Sequence, residues 1–149
     1  MLNLVHRGAA LTATGLIALF FTSTLVVETL AGPEQITQLK HLIVTPGLWL
    51  LIPALAVTGI SGTGLAQGRG GPLITAKRRR MAMAAANGLL VLVPCALVLE
   101  HRAAQGALDT TFYLVQGVEL LAGAVNLTLL GQNLRDGLRT VRGRSPSAA

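Results

Sequence analysis

The sequence has few charged residues and few aromatic residues, and this shortage excludes most classes of soluble protein. Charged residues make up 12% of the 149 residues, whereas a typical soluble domain contains about a quarter. Aromatic residues make up only 3%, and the single cysteine, Cys95, excludes an internal disulfide. Hydrophobic residues, by contrast, reach 52% of the chain. This composition predicts a membrane protein whose first partner is the lipid bilayer.

Four long segments are nearly free of charge and are long enough to cross a bilayer, which takes about 20 apolar residues. They cover residues 8–27, 46–66, 81–99 and 110–133. Because backbone groups in lipid must be hydrogen-bonded within the protein, the expected form is helical. We therefore predict an all-α integral membrane four-helix bundle with up-down-up-down topology. Residues 1–134 form one transmembrane domain, and residues 135–149 form a basic, partly disordered cytoplasmic tail.

The second span has a recognisable start signal at Thr45-Pro46. The threonine supplies a capping hydroxyl, and proline is favoured at the first position of a helix. We therefore expect the helix to begin at Pro46 and residues 35–44 to form an interfacial approach outside the membrane. This interpretation places Lys40 among the charges of an outer loop.

The basic residues predict the orientation of the bundle. The chain carries a net charge of +6, and only Lys40 and Arg102, of its 12 Lys and Arg residues, fall on the predicted outer side. The positive-inside rule then places both termini in the cytoplasm of a bacterial-type inner membrane. A cytoplasmic basic anchor between the second and third spans is formed by Lys77, Arg78, Arg79 and Arg80. Nucleic acid is not an expected partner, because the basic residues are not interleaved with aromatic residues.

The first apolar segment has a second interpretation, a cleaved signal peptide. His6-Arg7 precedes it and Thr29-Leu30-Ala31 follows it, as in a loose signal-peptide pattern. The apolar run is too long for a typical signal peptide, and Glu28 is poorly placed near a cleavage site. We therefore favour an uncleaved span.

Polar residues follow one face of the fourth span at 3-4-3 spacing, the spacing of residues that share a helix face. They are Gln116, Glu119, Gly123 and Asn126. On the third span, Asn87 lies at about the same depth as Asn126, roughly 12–13 Å from the cytoplasmic ends at 1.5 Å per residue. The two asparagines are therefore expected to form an interhelical hydrogen bond, and the whole set is interpreted as a polar seam within the membrane.

Glu119 is the most informative residue of this seam. It lies about 24 Å from the cytoplasmic end of its helix, and no Lys or Arg is expected at that depth. A carboxyl group there must be protonated, hydrogen-bonded or reached by water. Two interpretations remain open: a proton or cation site, and a neutral acid that serves packing.

His41 and His101 lie near the predicted outer edge of neighbouring spans. Two imidazoles on neighbouring helices are the usual axial ligands of haem b in a helical bundle, and together with Glu100 they are also candidate metal ligands. The sequence contains no nucleophile–base pair and no phosphate-binding loop, so no enzymatic activity is predicted.

Three functions follow from these features. The leading hypothesis is an accessory or scaffold subunit that packs its helices against itself or a larger membrane complex, since its loops are short and small residues recur four apart, as at Ala9 and Ala13. The first alternative is a haem-b electron-transfer protein with His41 and His101 as ligands. The second is a proton-coupled carrier centred on Glu119.

Overall fold

The computed structural model describes residues 1–66 and 71–142, and these residues contain no β-strand. Within these residues six α-helices follow one another, with a kinked segment between the second and third and a π-helical segment between the fourth and fifth. Their bounds are α1 Leu2–Leu30, α2 Pro33–Leu42, α3 Trp49–Ala66, α4 Pro72–Asn87, α5 Val93–Ala104 and α6 Thr110–Arg142. The kinked segment is Ile43–Leu48, and the π-helical segment is Gly88–Leu92.

These elements join into four helices that are long and apolar enough to cross a membrane, as the sequence predicts. The qualifying segments are Asn3–Leu30, Pro33–Gly62, Ile74–Ala104 and Thr110–Asp136, with mean hydropathies between 1.5 and 2.2. Each has 27 or more residues, which at about 1.5 Å per residue exceeds the ~30 Å hydrocarbon core. The four helices therefore indicate an integral membrane protein.

The prediction that the second span begins at Pro46 is wrong. The helix begins at Pro33, which stands at its first turn after the extended residue Gly32 and is followed by the acidic Glu34. Thr45-Pro46 instead produces a kink within the span, where Thr45 has φ −132° and ψ 110°. The residue before a proline is driven towards extended geometry, so this pair interrupts a helix as readily as it starts one. Lys40 consequently lies inside the helix.

The kinked segment packs closely against α1 at Gly47. A Cβ atom at this position would lie 2.7 Å from Phe20 Cζ and 2.9 Å from the Leu42 carbonyl oxygen. Glycine is therefore required here for a close approach between the kink and the first helix.

The basic anchor also differs from its prediction as part of a loop, because α4 already begins at Pro72 and includes residues 77–80. At the other end of the chain, the expected tail starts as a continuation of α6, which ends at Arg142. Residues 143–149 of that tail, and Arg69 in the connection before α4, lie outside the described residues. Helical propensity continues past the apolar segment, so a change of hydropathy does not mark the helix end.

Two groups of buried apolar residues hold the helices together. The larger group consists of Ala13, Ile17, Ile43, Leu48, Leu51, Ala84, Ala96 and Leu130. The smaller group consists of Ile36, Leu99, Ala103 and Phe112. Large aliphatic side chains, such as Leu90 and Leu121, are exposed instead, as expected for surfaces that face lipid tails.

Candidate functional site

Lys40 lies at the centre of a group of polar side chains inside the bundle. Its side chain is 1% exposed, although it carries the most expensive type of group to bury. The ammonium nitrogen Nζ lies 3.1 Å from Glu28 Oε1 on α1 and 3.2 Å from Glu119 Oε2 on α6. Three helices therefore each contribute one charged group to a single ionic contact.

Gln116 joins this group through both ends of its amide. The Lys40 ammonium donates a hydrogen bond to Gln116 Oε1, and Gln116 Nε2 donates one to Glu119 Oε2 at 3.0 Å. Gln116 is 2% exposed, so its amide replaces water as a partner for both charged groups. We refer to Glu28, Lys40, Gln116 and Glu119 as the Lys40 cluster.

The surroundings of the cluster are largely apolar. The ring of Phe112, which is fully buried, lies with its centroid 5.9 Å from Lys40 Nζ, within the range of a cation–π contact. Burying an ammonium group costs several kcal/mol unless opposite charges and hydrogen bonds compensate. The carboxylates, the amide and the ring together supply that compensation.

Glu28 is the least completely bonded member of the cluster. Its Oε1 is buried and close to Lys40 Nζ, but the approach lacks the alignment of a hydrogen bond, and that oxygen has no hydrogen-bond donor among the described residues. The contact is therefore Coulombic. By contrast, Glu119 Oε2 accepts from both Lys40 and Gln116.

The expectation that Glu119 has no cationic neighbour is wrong, because Lys40 contacts it. Gln116 also bonds to Glu119, whereas the hydroxyl of Ser23 donates to the Phe20 carbonyl at 3.1 Å. The sequence pattern does not reveal Lys40, because Thr45-Pro46 predicts a helix start that leaves Lys40 outside the span. The same rule applied to Gly32-Pro33-Glu34 would have brought Lys40 into the membrane helix.

A small cavity of about 50 Å³ adjoins the cluster inside the bundle. Glu119 is its only ionisable wall residue, and the buried Thr24 contributes a hydroxyl-bearing side chain. Most of the remaining lining is apolar, including Ile17, Phe21 and Leu92. A space of this size exceeds the ~10–15 Å³ that one water molecule requires.

The structure brings Asn87 and Asn126 together on neighbouring helices. Asn87 Nδ2 donates to Asn126 Oδ1 at 2.8 Å and also to the Ala122 carbonyl at 2.8 Å. Asn126 is 1% exposed. This contact is neutral and hydrogen-bonded, so it is better suited to fixing the register and packing of the two helices than to binding and releasing a ligand.

The structure gives His41 and His101 different neighbours. His41 is 64% exposed, and its Nδ1 lies 3.3 Å from Glu100 Oε1. His101 is also exposed, and its Nε2 lies 3.0 Å from Gln105 Nε2. Over the ranges 1–66 and 71–142, no group of three His, Cys, Asp or Glu side chains is placed to hold a metal ion. These contacts lend no support to the prediction that the two histidines ligate haem or a metal.

The four residues of the basic anchor have different surroundings. Arg78 and Arg79 are exposed. Arg80 instead pairs with Asp136 of α6 at 2.6 Å, and the Lys77 carbonyl accepts a hydrogen bond from Asn133 Nδ2 at 3.3 Å. The anchor therefore also ties α4 to α6.

A second surface ion pair lies between α5 and α6. Arg102 Nη2 lies 2.6 Å from Asp109 Oδ2, and the backbone N–H of Phe112 donates to Asp109 Oδ1 at 3.1 Å. That backbone hydrogen bond, with the Arg102 guanidinium as the next cause, lowers the pKa of Asp109 below its ordinary value. Asp109 thus stabilises the start of α6 as an N-terminal capping residue.

No protein-family model, curated protein sequence or solved structure matches this chain. Its function must therefore be inferred from the geometry of the described residues.

Proposed function

We propose that the protein is a small accessory or scaffold subunit of a bacterial-type inner membrane, which acts by packing one of its helices against another membrane helix. The observation that carries this proposal is an exposed strip on the outward face of α1 in which four of five residues are glycine or threonine. The haem-b alternative lacks such support among the described residues, because His41 and His101 contact Glu100 and Gln105.

The proposed orientation is up-down-up-down with both termini in the cytoplasm. Contacts between the start of one helix and the end of the next support it. His6 Nδ1 lies 3.0 Å from Ser61 Oγ, whereas Glu28 contacts Lys40. The basic residues at one end of the bundle favour the cytoplasm for that end.

The outward face of α1 carries residues at 4-3-4-3 spacing, which is the spacing of a helix–helix seam. All are exposed: Gly8, Thr12, Gly15, Leu19 and Thr22. We call this set the α1 strip. A Cβ atom added at Gly8 or Gly15 would meet nothing within 4 Å, so neither glycine is needed for packing inside the bundle. Small residues let two helix backbones approach closely in lipid, where apolar area alone drives no association.

One row of exposed residues on α6, at 4-3-4 spacing, provides a contrast within the same molecule. All four of its residues are large: Leu114 is 67% exposed, Val118 49%, Leu121 73% and Val125 50%. Such a surface is well solvated by lipid tails and offers no groove to a partner helix. The Ala9–Ala13 pair chosen from the sequence does not belong to the α1 strip, since Ala13 is 1% exposed and packs inside the bundle.

Site-specific photo-crosslinking in intact membranes tests this proposal. A photo-activatable amino acid at Thr12 is expected to give an adduct of defined mass, either twice that of the chain or the sum with one partner subunit. The same amino acid at Val118 is the matched control and is expected to give no defined adduct.

A second variant tests whether the Thr12 adduct depends on the small residues of the α1 strip. Gly15→Leu fills the α1 strip, and its Cβ atom would meet nothing within 4 Å. Helix content should therefore persist while the Thr12 adduct falls at least about tenfold, which corresponds to a loss of about 1.4 kcal/mol of association. Absence of an adduct at Thr12, or the same adduct at both positions, contradicts the proposal.

A further inference from the structure

The Lys40 cluster is not electrically balanced when all of its groups are ionised. Two carboxylates, Glu28 and Glu119, face one ammonium group, Lys40. The cluster then carries one net negative charge among side chains that are 1% to 14% exposed. A net charge in such surroundings is costly, and one proton on either carboxylate removes it.

The hydrogen bonds around the two carboxylates do not occupy every oxygen atom, so one oxygen can take up that proton. Glu119 Oε2 is occupied by two donors, from Lys40 and Gln116. Glu28 Oε1, however, has no aligned donor. Two carboxyl groups that share one ammonium group are also close enough to influence each other electrostatically, so the proton belongs to the pair and not to one residue.

A cavity beside the cluster is large enough to hold a water molecule. The cavity of about 50 Å³ has Glu119 in its wall, next to Thr24 and Gly123. The titratable groups that face the cluster come from four helices: Glu28 on α1, Lys40 on α2, Glu119 on α6, and Cys95 on α5, which interacts electrostatically with Glu119. Cys95 is neutral as a thiol, so it does not alter the charge count at neutral pH.

We propose that the Lys40 cluster is a proton-binding site inside the bundle, which holds one exchangeable proton shared by Glu28 and Glu119. Binding is a simple transfer, in which a carboxylate takes a proton from hydronium to give a carboxylic acid and water. The inference stands on the charges and contacts of this cluster and does not depend on the assembly proposed for the α1 strip.

Charge counting predicts how substitutions change the number of protonated carboxyl groups. The unaltered protein should hold one at neutral pH. Glu28→Gln and Glu119→Gln each leave one carboxylate beside one ammonium group, so both should hold none. Lys40→Met leaves two carboxylates with no ammonium group and should hold two.

Infrared spectroscopy of the full chain in lipid vesicles measures this number, because the C=O stretch of a carboxylic acid is separate from the bands of a carboxylate. We expect one such band at neutral pH, its shift on transfer to D2O, and its loss in both Gln variants. The isosteric Gln variants retain a hydrogen-bonding amide, and circular dichroism checks that they are folded. If Lys40→Met does not fold, Glu28→Gln and Glu119→Gln still test the proposal.

Glu100→Gln is the matched control, since Glu100 is a partly exposed carboxylate that contacts His41 instead of Lys40. It should leave the band unchanged. The proposal is overturned by the absence of a carboxylic-acid band from the unaltered protein, or by its persistence in both Gln variants. A band that does not shift in D2O would likewise overturn it, because the proton would then be structural and not exchangeable.

Discussion

Two of the interhelical ionic contacts among the described residues have sharply different surroundings. The Lys40 cluster has one ammonium group, 1% exposed, facing two carboxylates. The Arg80–Asp136 pair has one cation and one anion, 25% and 12% exposed, at 2.6 Å. Arg80 therefore faces one carboxylate and reaches water, whereas Lys40 depends wholly on protein groups. The exposure of the side chains and the balance of their charges, more than the distance between them, distinguish the two contacts. The Arg80–Asp136 pair ties two helices together, whereas the Lys40 cluster is the proposed proton site.

The largest effect that follows from this comparison is expected for Lys40→Met. Removing the ammonium group leaves two buried carboxylates without a cation, and breaking a buried ion pair in this way costs about 3–5 kcal/mol of stability. Unfolding in mixed detergent micelles measures the loss. This loss of stability should shrink at lower pH, because the protons that the two carboxyl groups must hold when Lys40 is absent are then less costly to bind.

Arg80→Met is the control for this comparison. It breaks an ion pair of similar distance, but Arg135 Nε lies 4.0 Å from Asp136 Oδ1 and remains as a cation nearby. The loss of stability should therefore be clearly smaller than that of Lys40→Met. An equal or larger loss for Arg80→Met would mean that burial does not distinguish the two regions.

A smaller effect is expected for the neutral contact between Asn87 and Asn126. A double-mutant cycle with Asn87→Ala and Asn126→Ala should give a coupling of about 0.6–1.7 kcal/mol, the range for hydrogen bonds between membrane helices. The coupling should not change between pH 5 and pH 8, because neither amide titrates. A pH-dependent coupling would show that this pair is linked to the charges of the Lys40 cluster.

The smallest effect is expected at the exposed Asp109, where solvent screens the contact with Arg102. The pKa of Asp109 is lowered in the folded state, so its carboxylate stabilises the fold above the ordinary value, and this contribution disappears as pH falls through the lowered value. The stability difference between the unaltered protein and Asp109→Asn should therefore vanish in acid. A difference that is constant with pH would mean that the ionised carboxylate of Asp109 is not the source of the effect.

The amino-acid sequence was sufficient for the four apolar helices and for the polar face of α6. Hydropathy over about 20 residues depends only on the local sequence, and residues at 3-4-3 spacing share a face of any α-helix. Counting rise along two helices also placed Asn87 and Asn126 at matching depths, because helical rise is constant. Each of these inferences rests on a property of a single helix.

Only the tertiary structure decided the partners of Glu119. Proline acts both as a helix start and as a kink, and the sequence around Pro33 and Pro46 does not say which role each one takes. Once packing carries the helix through the kink, Lys40 moves from an expected outer loop to a site between α1 and α6. The charge of a buried group depends on neighbours that are distant in sequence, and no local pattern identifies them.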